Sequence, residues 1–132
     1  IFCKIIDRNV PAAIICEEEH AIAFMDAFPS SEGHALVVPK AHHPNLLTLS
    51  SEALQAAAAL AQRVAQAQMQ ALEPDGIVLT QFNGAAVGQT VFHYHVHVVP
   101  RRQGQDPAIH GRTPGDPAAL QALAAKLAAA LP

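Results

Sequence analysis

A run of alternating side chains from Phe92 to Pro100, FHYHVHVVP, constrains the fold of this chain more than any other feature. In an extended strand, successive side chains point to opposite faces, so His93, His95 and His97 share one face. The Tyr and Val residues between them share the other face. The segment therefore predicts a strand that buries one apolar face and presents its imidazoles on the opposite face.

The other apolar segments predict further strands and three helices, in an order that favours an antiparallel sheet. The predicted strands are Ala13–Glu17, Ala21–Asp26, Ala35–Pro39 and Ile77–Phe82. The predicted helices are a short one within Ile1–Arg8, a long one over Glu52–Leu72 capped by Ser50 or Ser51, and a terminal one over Ala118–Leu131. Because three strands precede the long helix, a five-stranded α+β fold suits the chain better than parallel βαβ winding. The length of 132 residues predicts a single domain, 1–132.

Charge and hydropathy exclude two classes of partner. The net charge is −3 with eight Lys and Arg residues and no basic run, so we expect no nucleic-acid partner. Apolar stretches are interrupted well before the ~20 residues that span a bilayer, so we expect no membrane segment. Two cysteines, Cys3 and Cys16, do not make a disulfide scaffold and favour a reducing cytoplasm. The Gly- and Pro-rich stretch Gly104–Pro117 is expected to be mobile or packed on a partner.

The histidine face has three explanations. An amphipathic edge strand could carry these side chains without any reactive role. A metal ion could be held by at most two of them, because residues four apart lie about 13 Å apart along a strand; Cys3 and His42 are then candidate further ligands. In the third explanation a neutral imidazole attacks phosphorus, and its neighbours stabilise charge on the phosphoryl oxygens. The strict alternation of histidines, followed by Pro100-Arg101, favours a reactive role over an ordinary strand.

The residues around this face resemble a known family. Gly88–Arg101, GQTVFHYHVHVVPR, resembles the signature of the histidine triad (HIT) family, His-φ-His-φ-His-φ-φ, in which φ is an apolar residue. The stretches Ile1–Ile6, Ala23–Asp26 and Gly33–His42 resemble the family in the same order. The resemblance runs from Ile1 to about Arg102 and leaves the Gly- and Pro-rich tail unmatched.

The resemblance implies a role for each matching histidine. His95, the middle residue of the triad, would be the nucleophile that forms a nucleotidyl-histidine intermediate. His97 and His34 would contact the α-phosphate, and His93 would orient the surroundings of the nucleophile. Catalysis of this kind requires no cofactor.

Polar residues outside the triad are also assigned by the resemblance. Gln89 and Thr90 would bind the phosphate oxygens or the leaving group, and Asn83 would line the phosphate side of the pocket. Asp26 would hold the ribose hydroxyls, which suits a carboxylate as a two-point acceptor. Apolar side chains would surround the base, namely Phe2, Ile5, Ile22 and Phe24.

A structural zinc and a homodimer are further implications of the resemblance. Some bacterial-type members hold zinc with a Cys-x-x-Cys pair, a histidine after Pro-Lys and the first triad histidine. Cys3, His42 and His93 match three of these ligands, whereas the position of the other cysteine would precede Ile1; a plain buried thiol is the alternative for Cys3. In the implied dimer, two sheets join across the long helix, and the C-terminal tail can reach the partner's site.

We therefore expect hydrolysis or nucleotidyl transfer at the α-phosphate of a purine nucleotide conjugate, such as a nucleoside phosphoramidate or a dinucleoside polyphosphate. Two alternatives stay open: a nucleotide-binding regulatory or scaffold protein with little catalysis, and a zinc-dependent hydrolase with paired triad histidines as ligands. The presence of His95 favours catalysis. His20, His43 and His110 carry no functional signal.

Overall fold

The computed structural model describes residues 1–105, 111 and 113–132, and these residues form three α-helices and a five-stranded antiparallel sheet. The helices are α1 (Phe2–Ile6), α2 (Ser51–Leu72) and α3 (Pro117–Ala130). The strands are β1 (Ile14–Glu17), β2 (Ala21–Met25), β3 (Ala35–Pro39), β4 (Gly76–Thr80) and β5 (Val96–Arg101), in the spatial order β1-β2-β3-β5-β4. The predicted α+β fold, with its short first helix, long central helix and terminal helix, is confirmed. None of the helices described is long and apolar enough to span a bilayer.

The sheet buries both of its faces, each against a different set of helices. On one face, small residues of the inner strands, such as Ala23, let the alanine-rich helix α2 approach closely, and α3 packs beside it. On the other face, Ile22 and Phe24 of β2 pack against Phe2 and Ile5 of α1. This second face is the one that carries the histidines.

Helix α2 has a clear capping or termination signal at each end. The hydroxyl of Ser50 accepts a hydrogen bond from the backbone N–H of Ala53, which caps the first turn. Glu73 adopts a left-handed conformation at the other end, and Pro74 follows it, so the helix cannot continue. The choice between Ser50 and Ser51 as cap is thus settled in favour of Ser50.

A buried glutamine joins α2 to the strands that lead into the histidine face. Gln68 is fully buried, and its Nε2 donates to the carbonyl oxygens of Gly33 and Val98, each at 2.9 Å. Gly33 has a φ of +89°, and a Cβ there would lie 2.3 Å from Leu72, so only glycine fits this turn. The turn at Gly33 and the two hydrogen bonds from Gln68 together fix the direction in which the chain enters β3 after His34.

The histidine-bearing strand starts later than its predicted span of Phe92–Pro100, because its pairing with both neighbouring strands begins only at Val96 and His97. The last pair with β3 is Val37 with Val96, and the last pair with β4 is Thr80 with His97. The residues before Val96 therefore have no ladder pairing, although β3 itself continues to Pro39, and the N–H of Tyr94 instead donates to the carbonyl of His43 at 2.7 Å. The same end of pairing explains why β4 stops at Thr80 and not at Phe82.

The predicted alternation survives this correction. Tyr94, Val96 and Val98 join the apolar core beneath α2, whereas the rings of His93 and His95 contact Phe2 on the opposite face. Only His97 of the triad lies within the hydrogen-bonded strand. The first two histidines stand on an extended approach to β5, which frees their backbone groups for other contacts.

Described residues of the Gly104–Pro117 stretch contact the rest of the chain. The N–H of Gly115 donates to the carbonyl of Ala27 at 2.8 Å, and a Cβ on Gly111 would meet the carbonyl oxygen of Phe28 at 2.2 Å. This part of the stretch thus packs on its own chain, and contact with a partner stays a prediction. Residues 106–110, including His110, and residue 112 lie outside the described residues.

Candidate active site

A cavity of about 710 Å³ opens on the sheet face that carries α1. This size falls within the range of small-molecule sites, which are mostly apolar with a few placed polar groups. Phe2, Ile5, Phe24 and Leu36 supply much of the apolar lining. Among the described residues the polar side chains of the lining are those of Asp26, Thr90, His95, His97 and Gln121.

His95 presents one defined nitrogen to this cavity. Its Nδ1 lies 2.7 Å from the carbonyl oxygen of His93, and a carbonyl can only accept, so Nδ1 carries the proton of the neutral ring. Nε2 then holds the lone pair. The Phe2 ring meets the imidazole edge-on at a centroid distance of 5.0 Å, which restricts its rotation. A neutral imidazole fixed in this tautomer is suited to nucleophilic attack through Nε2.

The ring of His97 contacts a second histidine, His34, which is fully buried. The N–H of Ser30 donates to Nδ1 of His34 at 3.0 Å, so the neutral His34 ring carries its proton on Nε2. That Nε2 lies 3.0 Å from Nδ1 of His97, which therefore accepts. His97 in turn carries its own proton on Nε2. The pair thus sets the tautomer of His97 as a hydrogen-bond donor.

Asp26 follows β2 and connects this pair to the cavity. One carboxylate oxygen accepts from the backbone N–H of Phe28 at 2.9 Å. The other lies 3.3 Å from Nε2 of His34. Because Asp26 also lines the cavity, a ligand that binds there meets a carboxylate whose orientation is already fixed.

A group of three ligand atoms lies behind the cavity. Sγ of Cys3 is 3.3 Å from Nδ1 of His42 and 3.7 Å from Nδ1 of His93, and the two nitrogens are 3.0 Å apart. A tetrahedral zinc, with bonds of about 2.3 Å to sulfur and 2.0–2.1 Å to nitrogen, places ligand atoms roughly 3.3–3.6 Å apart. The observed separations of 3.0–3.7 Å come close to this range, so a small movement of the side chains would accommodate such an ion.

The state of His93 also suits a metal ligand. Its Nε2 donates to the carbonyl of Pro39 at 2.7 Å, which leaves Nδ1 with the lone pair and orients the ring. Burial lowers the pKa of His93 below its ordinary value, and the nearby His42 and His95 lower it further. His93 is therefore neutral at neutral pH, which is the form that binds metal ions.

No group of three possible ligands within the described ranges contains two triad histidines. Besides Cys3, His42 and His93, the other such group is Asp26, His34 and His97. In that group Nε2 of His34 carries a proton, because Nδ1 accepts from Ser30, so His34 donates a hydrogen bond there and does not offer a lone pair. The geometry thus gives no support to a metal shared by paired triad histidines.

The polar residues expected near the phosphate divide into two kinds. Thr90 lines the cavity and is exposed to it. Gln89 is buried, and its amide contacts the backbone of Pro44, Val91 and Gly84. Asn83 accepts from the N–H of Leu46 at 2.9 Å and does not line the cavity. Gln89 and Asn83 therefore hold the loops beside the histidines in place.

Two features of the site were missed in the sequence analysis. Ser30, which fixes the tautomer of His34, sits in a stretch that reads only as a loop. The C-terminal wall of the cavity carried no signal either, because its contacts join residues far apart in the chain. Residues of this wall are Gly111, Pro114, Gly115, Pro117, Leu120 and Gln121.

A family model described as the HIT domain matches residues 7–104 of the chain. An uncharacterized 16.1 kDa HIT-like protein of Mycoplasma pneumoniae is 46% identical over 101 residues, which cover 76% of this chain and 70% of that relative. An adenosine 5'-monophosphoramidase of Saccharomyces cerevisiae is 37% identical over 84% of this chain and 68% of its own length. An adenylylsulfatase of Arabidopsis thaliana is 34% identical over 78% of this chain and 52% of its own length.

Solved structures agree with these sequence relatives. A Hit-like protein from Bartonella henselae matches with a TM-score of 0.93 at 38% identity, over 98% of this chain and 94% of that one. A zinc-bound histidine triad family protein from Mycobacterium smegmatis matches with a TM-score of 0.82 at 39% identity, over 97% of this chain and 92% of that one. The fold, and not only the histidine motif, is therefore shared.

Proposed function

The chain belongs to the HIT domain family, and we propose that it is a nucleotide hydrolase or nucleotidyl transferase acting at the α-phosphate of purine nucleotide conjugates. Two relatives with hydrolase names, the yeast monophosphoramidase and the Arabidopsis adenylylsulfatase, support hydrolase activity in general. One observation carries the finer proposal: the Nδ1–H of His95 is held by a carbonyl, so the neutral ring has its lone pair on Nε2, and the side chain lines the cavity.

In the proposed reaction, Nε2 of His95 attacks the α-phosphorus. A nitrogen–phosphorus bond forms to His95, the bond from phosphorus to the leaving group breaks, and the leaving group departs with that electron pair and is protonated by solvent. Water then attacks the same phosphorus and gives its proton to solvent, while the nitrogen–phosphorus bond breaks and its electron pair returns to Nε2. The nucleoside monophosphate is released, and His95 is again neutral. An acceptor other than water gives nucleotidyl transfer.

His97 stabilises the charge that builds up on the phosphoryl oxygens. Its Nε2–H is the donor, because His34 holds the proton-free Nδ1 on the other side of the ring. His97 is nearly inaccessible to water, with 3% of its surface exposed, and donors in such surroundings stabilise transition-state charge more than donors in water do. His34 acts through His97 and is a positioning residue.

The rest of the cavity suits a nucleoside. Asp26 is placed to accept hydrogen bonds from the ribose hydroxyls, and its orientation is fixed by the N–H of Phe28. Phe2 and Phe24 meet edge-on at 5.5 Å and offer an aromatic surface to a purine base. The proposed substrate therefore places its phosphate at the histidines and its base among the apolar residues.

Incubation with adenosine 5'-phosphoramidate tests the proposed function. We expect release of adenosine monophosphate, followed by chromatography, at the same initial rate with and without a metal chelator. His95 is in neither group of possible metal ligands, and in the group with His97 the Nε2 of His34 carries a proton. Circular dichroism of the chelated sample serves as the control that the protein stays folded.

Two results would contradict the proposal in different ways. Nucleotide binding without turnover would identify a binding or scaffold protein. A rate that disappears with chelator in folded protein, and returns when zinc is added, would identify a zinc-dependent hydrolase.

We also propose that Cys3, His42 and His93 hold a structural zinc. The separations of their ligand atoms come close to those around such an ion, and the structural relative from Mycobacterium smegmatis is zinc-bound. Zinc at this position would supply a structural link between α1, the loop after β3 and the approach to β5. These residues would thereby keep Phe2 and the carbonyl of His93 in place against His95.

A second copy of this chain is the proposed protein partner. The edge strand β4 has its other side unpaired within the described sheet, and Leu79 on it is 52% exposed. Beside it, Met69 of α2 is 46% exposed, and both side chains line one groove together with Ile77. An apolar edge strand next to an apolar helix face suits a symmetric contact that extends the sheet.

Leu79→Arg is expected to convert this dimer to a monomer, because each copy would bring an unpaired charge into the apolar contact. Light scattering coupled to size-exclusion chromatography measures the mass. Leu47→Arg is the matched control, since Leu47 is 80% exposed and lies outside the groove. A wild-type protein that is already monomeric, or a Leu79→Arg variant that stays dimeric, would contradict the assignment of this surface.

The thiols and the charge support a proposal for the cellular setting and the kind of substrate. Cys3 and Cys16 are both free, and free thiols fit the reducing cytoplasm that we propose as the site of activity. With a net charge of −3, the chain has no excess of positive charge for a polynucleotide, so the proposed substrate is a small nucleotide.

A further inference from the structure

The cavity has a wall built by the C-terminal end of the chain. Pro114, Gly115 and Pro117 line it, and Leu120 and Gln121 extend it along the first turns of α3. Two contacts fix this wall: the N–H of Gly115 donates to the carbonyl of Ala27, and the carboxylate of Asp116 accepts from the N–H of Ala119 to cap α3. The wall is thus a fixed part of the binding site.

Gln121 is the polar side chain of this wall. The other polar side chains of the described lining are Asp26 at the end of β2, Thr90 just before the histidine-bearing run, and His95 and His97 within it. Gln121 instead contacts Ala12, which leads into β1 at the edge of the sheet. In the strand order, β2 and β3 separate β1 from β5, so Gln121 lies away from the histidines, toward the part of the cavity left for the base.

The orientation of the Gln121 amide is set by its partner. Nε2 donates to the carbonyl oxygen of Ala12 at 3.2 Å, and a carbonyl can only accept. That contact uses one of the two hydrogens on Nε2, and the amide oxygen Oε1 is the acceptor that Gln121 can offer to a ligand. An acceptor at this place favours a base edge that carries a hydrogen-bond donor.

We propose that Gln121 selects purines with a 6-amino group, so that adenine is preferred over hypoxanthine. The 6-amino group of adenine donates to Oε1, whereas hypoxanthine places an oxygen there and two acceptors face each other. This proposal rests on the proposed function and adds the identity of the base to it. We expect about a tenfold preference, the size of one net hydrogen bond at a partly exposed site.

Equilibrium binding tests the proposal without relying on turnover. Dissociation constants of adenosine and inosine monophosphate are measured by calorimetry for the wild type, Gln121→Leu and Gln121→Lys. Leu removes the acceptor and is expected to bring the two constants within about twofold of each other. Lys replaces the acceptor with a donor and is expected to reverse the preference toward inosine monophosphate. Gln55→Leu, an exposed position on α2 outside the cavity, is the control and should keep the wild-type ratio.

The outcomes separate this inference from the proposed function. Equal constants in the wild type, or an unchanged ratio in both Gln121 variants, would overturn the assignment of Gln121 even if phosphoramidate turnover is fast. A clear adenosine preference that responds to both variants supports the assignment even in a protein that binds without turnover. Failure to bind either nucleotide would refute both proposals together.

Discussion

His95→Ala is expected to lose nucleotide turnover by at least about 10³-fold while binding adenosine monophosphate nearly as tightly as the wild type. The loss is expected to be large because, in the proposed reaction, Nε2 of His95 forms the bond to phosphorus. His97, the other imidazole of the described lining, has its Nδ1 against His34 and not against a carbonyl. Binding persists because the apolar lining, Asp26 and His97 are untouched by the substitution.

Initial rates with adenosine 5'-phosphoramidate give the first readout for this variant. His20→Ala is the matched control, since His20 is exposed in the β1–β2 turn and does not line the cavity. Rapid quenching followed by mass spectrometry gives a second readout, in which the wild type should carry a nucleotidyl group on the peptide that contains His95. Normal rates in His95→Ala, or a label on a different histidine, would show that the nucleophile is wrongly assigned.

His97→Phe is expected to lower kcat by about 10²–10³-fold, with a much smaller change in KM. The reason is that the Nε2–H of His97 contributes most when charge develops on the phosphoryl oxygens, and removal of one such donor typically has an effect of this size. Phenylalanine keeps the ring volume beside His34 and Phe82, so the packing of the site is retained.

A conservative variant separates the donor from the ring. His97→Gln offers an amide N–H near the former Nε2 and should recover about tenfold of the activity lost in His97→Phe. The affinity for adenosine monophosphate, measured in parallel, should change less than kcat in both variants. If Gln and Phe lower kcat equally, or if the whole loss appears in ground-state binding, then His97 does not act as a transition-state donor.

The local features of this site could be predicted from sequence because they depend on neighbours in the chain. The opposite directions of Tyr94 and His95 follow from strand geometry alone. The extent of β5 could not be predicted this way, because it is set by where its pairing with β3 and β4 stops. Pairing stops at Val37 and Thr80, and neither position is marked in the sequence as an end.

The contacts that orient the site residues could not be predicted from the sequence, for a different reason. His34 and His97 are 63 positions apart, and only the fold brings their rings together. Gln89 was expected at the phosphate from its residue type and position, whereas the structure directs its amide to backbone groups. Side chains of the same type can bind a ligand or hold a loop, and the choice depends on which backbone groups lie within reach.

The C-terminal wall of the cavity has a consequence for how such proteins diversify. The imidazoles proposed to react come from one contiguous stretch, whereas Leu120 and Gln121 come from helix α3, which supplies no group to the proposed chemistry. Natural selection can therefore change which molecules are admitted by altering the end of the chain while the reactive groups stay constant. One fold with the same histidines can in this way accept several kinds of ligand.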